Sequence, residues 1–330
     1  MDTIPTGCEA EFVGEGAANL VFKITPPNNS SSPAFSEGKL LRVPKAGTRA
    51  YPYPELQEYW ENTVKPLFKG DDLVQQSLVR LTGSGIVPKL NALLSENEAN
   101  RREDFRGHRV ADAEFGMLVE NMRKIRPGDI VLEFKPKWLA QSPSAPPTSR
   151  RCRNCALVAY RSHSSSSNNN DDAHGTSKAA LCPLDLARCH DDTAVLRQVL
   201  GHMMSLIGGR NAAALPEPQL GRFAEWLETN GLIERLRAAQ VRNDPGGPLG
   251  SSAHDSRFQL AMTLRDCACF IRIPADAGAP VEVRLGDMDR KNSEAKLGYW
   301  QSMERRLIDG GYYEGREEPA QRTACQLERE

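Results

Sequence analysis

The sequence predicts an α+β chain in two lobes, a sheet-rich N-lobe and a larger mixed α/β C-lobe. Three observations lead there. Short β-prone runs bounded by turn signals fill the first third. Helical stripes dominate the remainder. The length of 330 residues exceeds what a single core usually serves. The boundary is placed after Met122, giving residues 1–122 and 123–330.

The elements follow in order. Leu20–Ile24 and Leu40–Val43 read as strands. Glu55–Phe68 carries Leu56, Tyr59, Trp60, Val64 and Leu67 at helical spacing. Met117–Val119 and Ile130–Phe134 are further strands. Asp191–Ile207 is a helix with Val195, Leu196, Val199, Leu200, Met203 and Ile207 on one stripe, and Gln219–Ala238 reads as a second. Cys269–Ile273 and Val281–Leu285 are strands, and Ser293–Asp309 is the last helix, stopped by Gly310-Gly311. Pro26–Gly38, Ser162–Gly175 and Asn243–Ser256 are rich in Ser, Asn, Gly and Pro and read as mobile surface loops.

Composition narrows the function classes. Charged residues make up 26% and the formal net charge is -1, so an anion site must be a local feature. No apolar run has the length of a membrane span, and the start lacks a basic segment followed by an apolar one. Eight cysteines scattered through a long chain point to a reducing compartment, nucleus or cytoplasm. A monomer with no nucleic-acid or membrane partner is expected.

Three features carry chemistry. Gly14-Glu15-Gly16-Ala17-Ala18-Asn19 lies between β-prone runs, and small residues there let backbone N–H groups approach phosphate oxygens. Asp266 precedes one strand of the pair Cys269–Ile273 and Val281–Leu285, and Asp287 follows the other. A hairpin would bring both to one end, where one carboxylate accepts a proton and the other holds magnesium. Lys135 and Lys137 flank a proline at a strand end, Arg150, Arg151 and Arg153 share one segment, and Arg290, Lys291 and Lys296 follow Asp287. Such clusters are most often solvated surface charge; converged, they make a pocket for a polyanion. Cys152-x-x-Cys155 could begin a zinc site completed by Cys182, Cys189 or His190. No second closely spaced pair is present, and the polar insertion intervenes, so the sequence argues against it. Cys267 and Cys269 read as small core residues.

Taken in order, Gly14–Val21 (GEGAANLV), Leu40–Lys45 (LLRVPK), Met117–Met122 (MLVENM), Glu133–Lys137 (EFKPK), Ser149–Cys155 (SRRCRNC), Cys182–Leu186 (CPLDL), Arg265–Cys269 (RDCAC) and Gly286–Lys291 (GDMDRK) with Tyr299 resemble the inositol-pentakisphosphate 2-kinase family. The resemblance spans nearly the whole chain and implies a two-lobed kinase-like fold with ATP and Mg2+ as cofactors. It implies that inositol pentakisphosphate is the substrate and inositol hexakisphosphate the product. It assigns Gly14, Glu15, Gly16, Ala17, Ala18, Asn19 and Arg42 to the ATP phosphates, and Glu120 and Met122 to the adenine site. Lys135 would meet the transferred phosphate, Asp266 would be the catalytic carboxylate, and Asp287 the magnesium ligand. Lys137, Arg153, Lys291, Lys296 and Tyr299 would bind the substrate.

The chain departs from the family in places. The asparagine pair expected after the PLDL segment is matched only by Asn211 within Gly209–Ala212. The early substrate arginine has no clear match, with Arg101 and Arg102 as candidates, and the zinc site of plant members is not evident. Among other functions, P-x-x-x-D-x-K-x-G is absent, which counts against an inositol-phosphate multikinase. No H-R-D or D-F-G run supports a protein kinase. Asp266, Asp287 and Lys135 argue against a catalytically dead inositide-binding module, while the degraded asparagine segment keeps that alternative open.

Overall fold

A computed structural model describes residues 1–27, 35, 38–123, 126–166, 181–208, 216–229, 231–318 and 323–329. Gly209–Ala212 and most of the first two insertions lie outside these residues. The chain divides into two compact units, Met1–Lys65 with Leu73–Arg123, and Pro66–Asp72 with Lys124–Glu330.

The first unit is built on a six-stranded sheet. Its strands are β1 (Asp2–Thr3), β2 (Glu9–Glu15), β3 (Asn19–Thr25), β4 (Lys39–Pro44), β5 (Gln76–Arg80) and β6 (Phe115–Glu120), in the order β1-β5-β6-β4-β3-β2. Only the β1–β5 pair is parallel. In β3 the buried residues Leu20, Phe22 and Ile24 alternate with more exposed ones, as a strand with one core face requires. β4 lies between β3 and β6, and four successive residues, Leu40 to Val43, are buried there.

The helix α2 (Ile86–Glu96) lays Ile86, Leu90 and Leu94 against the sheet at i, i+4 and i+8. The helix expected over 55–68 is shorter. α1 (Tyr53–Tyr59) passes into a π-turn at Trp60–Val64 and a 3-10 turn at Lys65–Leu67. Pro66 has no N–H for a regular ladder, and its ring clashes with the preceding turn.

The second unit holds a three-stranded antiparallel sheet, β7 (Ile130–Phe134), β8 (Ala268–Ile273) and β9 (Glu282–Gly286), with β8 central. Its helices are α3 (Arg153–Ser166), α4 (Pro183–Arg188), α5 (Thr193–Gly208), α6 (Glu217–Thr229), α7 (Leu232–Arg242), α8 (Ser256–Asp266) and α9 (Ser293–Asp309). α9 has the predicted limits, with the Asn292 side chain accepting from the Ala295 N–H at one end and Gly310-Gly311 at the other. The chain fold is thus α+β with a sheet-rich N-terminal unit.

Three expectations fail here. The loop expected from Ser162 begins as helix, because α3 runs on to Ser166. The single helix over 219–238 is two helices, α6 and α7. Gly231 stands at the N-cap of α7, and glycine costs a continuous helix about 1 kcal/mol relative to alanine. The segment 243–256 is pinned rather than loose. Buried Asp244 pairs with the Arg265 guanidinium at 2.5 Å and accepts from the Gly247 N–H at 2.6 Å. Gly247 has φ +67, and a Cβ there would lie 2.3 Å from Ser144 Oγ, so the turn needs glycine. The same segment leads into α8, which the periodicity hid. Phe258 to Arg265 are buried all round, so no polar face marks the helix.

Candidate active site

The register of the small sheet explains the cluster that follows. Phe134 pairs with Cys269, and Ala268 pairs with Gly286. Three chain segments therefore leave one end of the sheet together. Lys135 follows β7, Asp266 and Cys267 precede β8, and Asp287 follows β9.

Lysines converge on Asp266. Lys135 Nζ lies 3.2 Å from Asp266 Oδ1 and 3.3 Å from Asp287 Oδ2, and donates to the Asp266 carbonyl at 2.7 Å. Lys137 Nζ is 3.3 Å from Asp266 Oδ1, and Lys291 Nζ is 2.8 Å from Oδ2. Burial works to raise the Asp266 carboxyl. Lys291, Lys135 and Lys137 outweigh it and hold the group well below the usual carboxylate range. Burial would lower Lys135, but Asp287 and Asp266 raise it. At Lys137 burial wins, with Lys135 and Arg161 adding to it against Asp266, and that ammonium is lowered.

Among the described residues other than glycine, only Lys137 (φ 61) and Asp287 (φ 55) have positive φ. Both sit in the cluster. Such backbone persists where the surroundings over-determine it, which is common at working sites. α8 supplies part of that support. Thr263 Oγ1 donates to the Asp289 carbonyl, Gln259 Nε2 to the Lys291 carbonyl, and Arg290 Nε to Gln259 Oε1.

A cavity opens beside the cluster. Lys137, Arg153, Asp266, Lys291, Lys296 and Tyr299 line it, together with the apolar Trp138, Leu157, Met262, Trp300 and Met303. Arg153 is buried. Its guanidinium pairs with Glu304 at 2.9 Å and lies 4.4 Å from the Trp138 ring centroid. Glu304 also accepts from Ser142 Oγ and the Tyr313 hydroxyl, so its charge is fully engaged. Tyr299 is exposed on α9. Sequence reasoning missed Asn154 and Arg161 in this lining. The 153, 157, 161 spacing places Arg161 on the same face of α3 as Arg153, two turns on, and that signal was available.

The residues expected at the nucleotide lie in the first unit. β2 and β3 pair around the loop, and the Gly16 N–H bonds the Asn19 carbonyl at 2.9 Å. A Cβ at Gly14 or Gly16 would meet nothing within 4 Å, so a ligand can approach the backbone closely. The Glu15 side chain turns elsewhere. It pairs with Lys45 at 2.7 Å and with Arg101 at 2.7 Å and 2.8 Å. Buried Arg101 also donates to the Phe105 and His108 carbonyls, so it ties down the loop's base. Arg102 pairs with Asp104 in the same unit.

The best orientation of the Asn19 amide puts its oxygen 2.6 Å from Arg42, whose guanidinium lies 5.5 Å from the Tyr53 ring centroid. Met122 is buried, and the Glu120 carboxylate accepts from the Gln75 N–H. Glu120 lines a second hollow with Gly38, Lys39 and Ser77. The structure brings together the loop with Arg42, and separately Lys135, Lys137, Asp266, Asp287 and Lys291, of which Lys137, Asp266 and Lys291 line the cavity with Arg153, Lys296 and Tyr299.

The cysteine reading changes. Cys152, Cys155, Cys182 and Cys325 are all buried, and their sulfurs lie within 4.8 Å of one another. Cys189 and His190 are not among them. The Cys189 thiol donates to the Leu186 carbonyl, and His190 faces Asp191 and Glu234. The fourth member comes from 143 residues beyond Cys182, which no local spacing reveals. Cys152–Cys182 and Cys182–Cys325 separations are 3.8 Å and 4.0 Å. Four thiolates at a Zn–S distance of about 2.3 Å stand about 3.8 Å apart in a tetrahedron. Hydrogen bonds from Cys152 and Cys155 pull the Cys182 thiol down to about 7, while the crowded neighbouring sulfurs push Cys152 and Cys155 up. The donor set, spacing and burial fit structural zinc.

Comparison with known proteins gives a consistent picture. A family model described as inositol-pentakisphosphate 2-kinase matches residues 12–306. An inositol-pentakisphosphate 2-kinase of Yarrowia lipolytica is 31% identical over 91% of this chain and 90% of its own length. Those of Eremothecium gossypii and Kluyveromyces lactis are each 30% identical, over 57% and 54% of this chain and 59% and 49% of their own lengths.

Proposed function

The chain belongs to the inositol-pentakisphosphate 2-kinase family, and we propose that the lysine–aspartate cluster of its second unit is where it moves the γ-phosphoryl group of ATP to the 2-hydroxyl of inositol pentakisphosphate. The observation that carries this is the convergence of Lys135, Lys137 and Lys291 on Asp266, beside Asp287. Phosphoryl transfer needs little covalent work from the protein. It needs alignment, charge stabilisation and an acceptor for one proton.

The residues divide the work by position. Lys135 sits between the two carboxylates and stabilises the phosphoryl group in flight. Asp266 aligns the hydroxyl and takes its proton as the new bond forms. Asp287 would hold magnesium, whose charge would offset that of the ATP phosphates. At about −1.5 to −2 per phosphate, the substrate carries roughly −8 to −10. Lys137, Lys291, Lys296, Arg161, Arg153 and Tyr299 meet it around the cavity. Before it arrives, Asp266 acts as a counterion that keeps the lysines gathered. The loop 14–19 and Arg42 hold ATP phosphates, with Glu120 and Met122 at the adenine, a kinase-like division of labour between two lobes. The four cysteines would hold a structural zinc, and they already join the start of α3, next to Arg153, to the C-terminal segment. The enzyme acts as a monomer in cytoplasm or nucleus, and no described helix is long and apolar enough to cross a membrane.

The test is incubation with ATP, magnesium and a panel of inositol phosphates, with products resolved by anion exchange and the new phosphate located by NMR. One phosphate added at the 2-position of the pentakisphosphate is the expected result. Turnover confined to less phosphorylated inositols would overturn the reading.

A further inference from the structure

Gln240, on α7, is 1% exposed and makes every hydrogen bond to backbone. Its Nε2 donates to the Lys137 carbonyl at 2.9 Å and to the Leu264 carbonyl at 3.3 Å. Its Oε1 accepts from the Leu139 N–H at 3.0 Å. These partners are not arbitrary. Lys137 is one of two non-glycine residues with positive φ among those described, a strained conformation that persists only where the surroundings over-determine it. Leu264 lies two residues before Asp266, in the last turn of α8, where helix carbonyls lack an intrahelical donor.

We infer that Gln240 is a positioning residue: one buried amide locks the left-handed backbone of Lys137 to the carboxyl end of α8, and so sets the reach of Lys137 to Asp266. The geometry it maintains is the 3.3 Å Lys137–Asp266 contact. Trp138 completes the clamp from the other side, its ring 3.5 Å from the Arg265 guanidinium carbon and 4.4 Å from that of Arg153. Only a group with two donors and one acceptor on a long stem serves here. Leucine leaves two carbonyls and an N–H unpaired in the interior. Glutamate keeps the acceptor but turns a second oxygen toward both carbonyls. This inference rests on the roles given above to Lys137 and Asp266.

The full-length chain is made as Gln240→Leu and Gln240→Glu, with Asp266→Asn as reference. Melting temperature, MgATP affinity, the inositide KM and kcat per folded molecule are measured. Both Gln240 variants should bind MgATP within about twofold of the parent while kcat falls by about tenfold or more and the inositide KM rises, since small misplacements cost about that much. A merely structural role would lower the melting temperature and leave kcat per folded molecule unchanged, which overturns the inference. If Gln240→Leu does not fold, the isosteric Gln240→Glu decides on the same criterion. Full turnover in the Gln240 variants beside a dead Asp266→Asn removes the clamp alone. Full turnover in Asp266→Asn removes the site reading, and the clamp with it.

Discussion

Changing Asp266 to asparagine separates its charge from its shape. The side chain is 45% exposed, and its ion pairs with Lys135, Lys137 and Lys291 are partly screened. Each such pair is worth about 0–1 kcal/mol, so folding stability should fall by at most about 3 kcal/mol in all. That corresponds to a drop of several degrees in melting temperature. Inositide binding should hold or tighten, because the lysines lose the carboxylate that competes with phosphate. Catalysis should behave differently. Asparagine cannot take the hydroxyl proton, and loss of such a group costs about 10²–10⁴ in rate, or about 3–5 kcal/mol of barrier.

Turnover at saturating ATP and inositol pentakisphosphate, with calorimetry for each ligand, tests this. Turnover within about fivefold of the parent, or inositide affinity lost together with turnover, would refute the reasoning. The pH behaviour follows from the same contacts. The Asp266 carboxyl is depressed below its ordinary 3.8, the lysines overcoming burial. Its contribution to stability is therefore present above about pH 4 and is lost as pH falls through the folded value. Acid titration followed by circular dichroism should show the parent losing its advantage over Asp266→Asn only below that point.

Further outcomes are expected. Asp287→Ala should abolish transfer at low magnesium while inositide affinity stays within a few-fold, as calorimetry will read; near-normal turnover there removes the metal assignment. Lys137→Ala and Lys291→Ala should each weaken inositide binding by about 1.5–3 kcal/mol, with less effect on ATP, and unchanged affinity in both removes the pocket. Arg161→Ala should raise the inositide KM and leave the ATP KM alone; an unchanged value returns Arg161 to ordinary surface charge. Cys325→Ser should lower zinc per chain and the melting temperature together, and metal analysis finding no zinc in the parent rules out the four-cysteine site.

The sequence determined by itself what local pattern can carry. Alternation and turn residues marked β3, β4 and the β8–β9 pair, and helical spacing with the Gly310-Gly311 stop marked α9. The aspartates could be expected at one end of a hairpin because strand pairing has period two and few registers. Helix α8 escaped because it is buried on every side, leaving no polar face to set a period. Gly231 split the helix expected over 219–238 because one weak residue can end a helix where packing does not bridge it.

Only the tertiary structure decided which cations are shared and which are engaged elsewhere. Arg101 and Glu15 looked available in one dimension and are joined to each other in three. Arg151 pairs with Glu317 and Glu328 near the C-terminus, while Lys135, Lys137 and Lys291 meet at Asp266. Cys325 completes the thiol cluster, and Gln240 reaches Lys137, across sequence gaps of 143 and 103 residues. Contacts of that range depend on how the elements pack. A side chain's type limits what it can bond, and the fold chooses its partner.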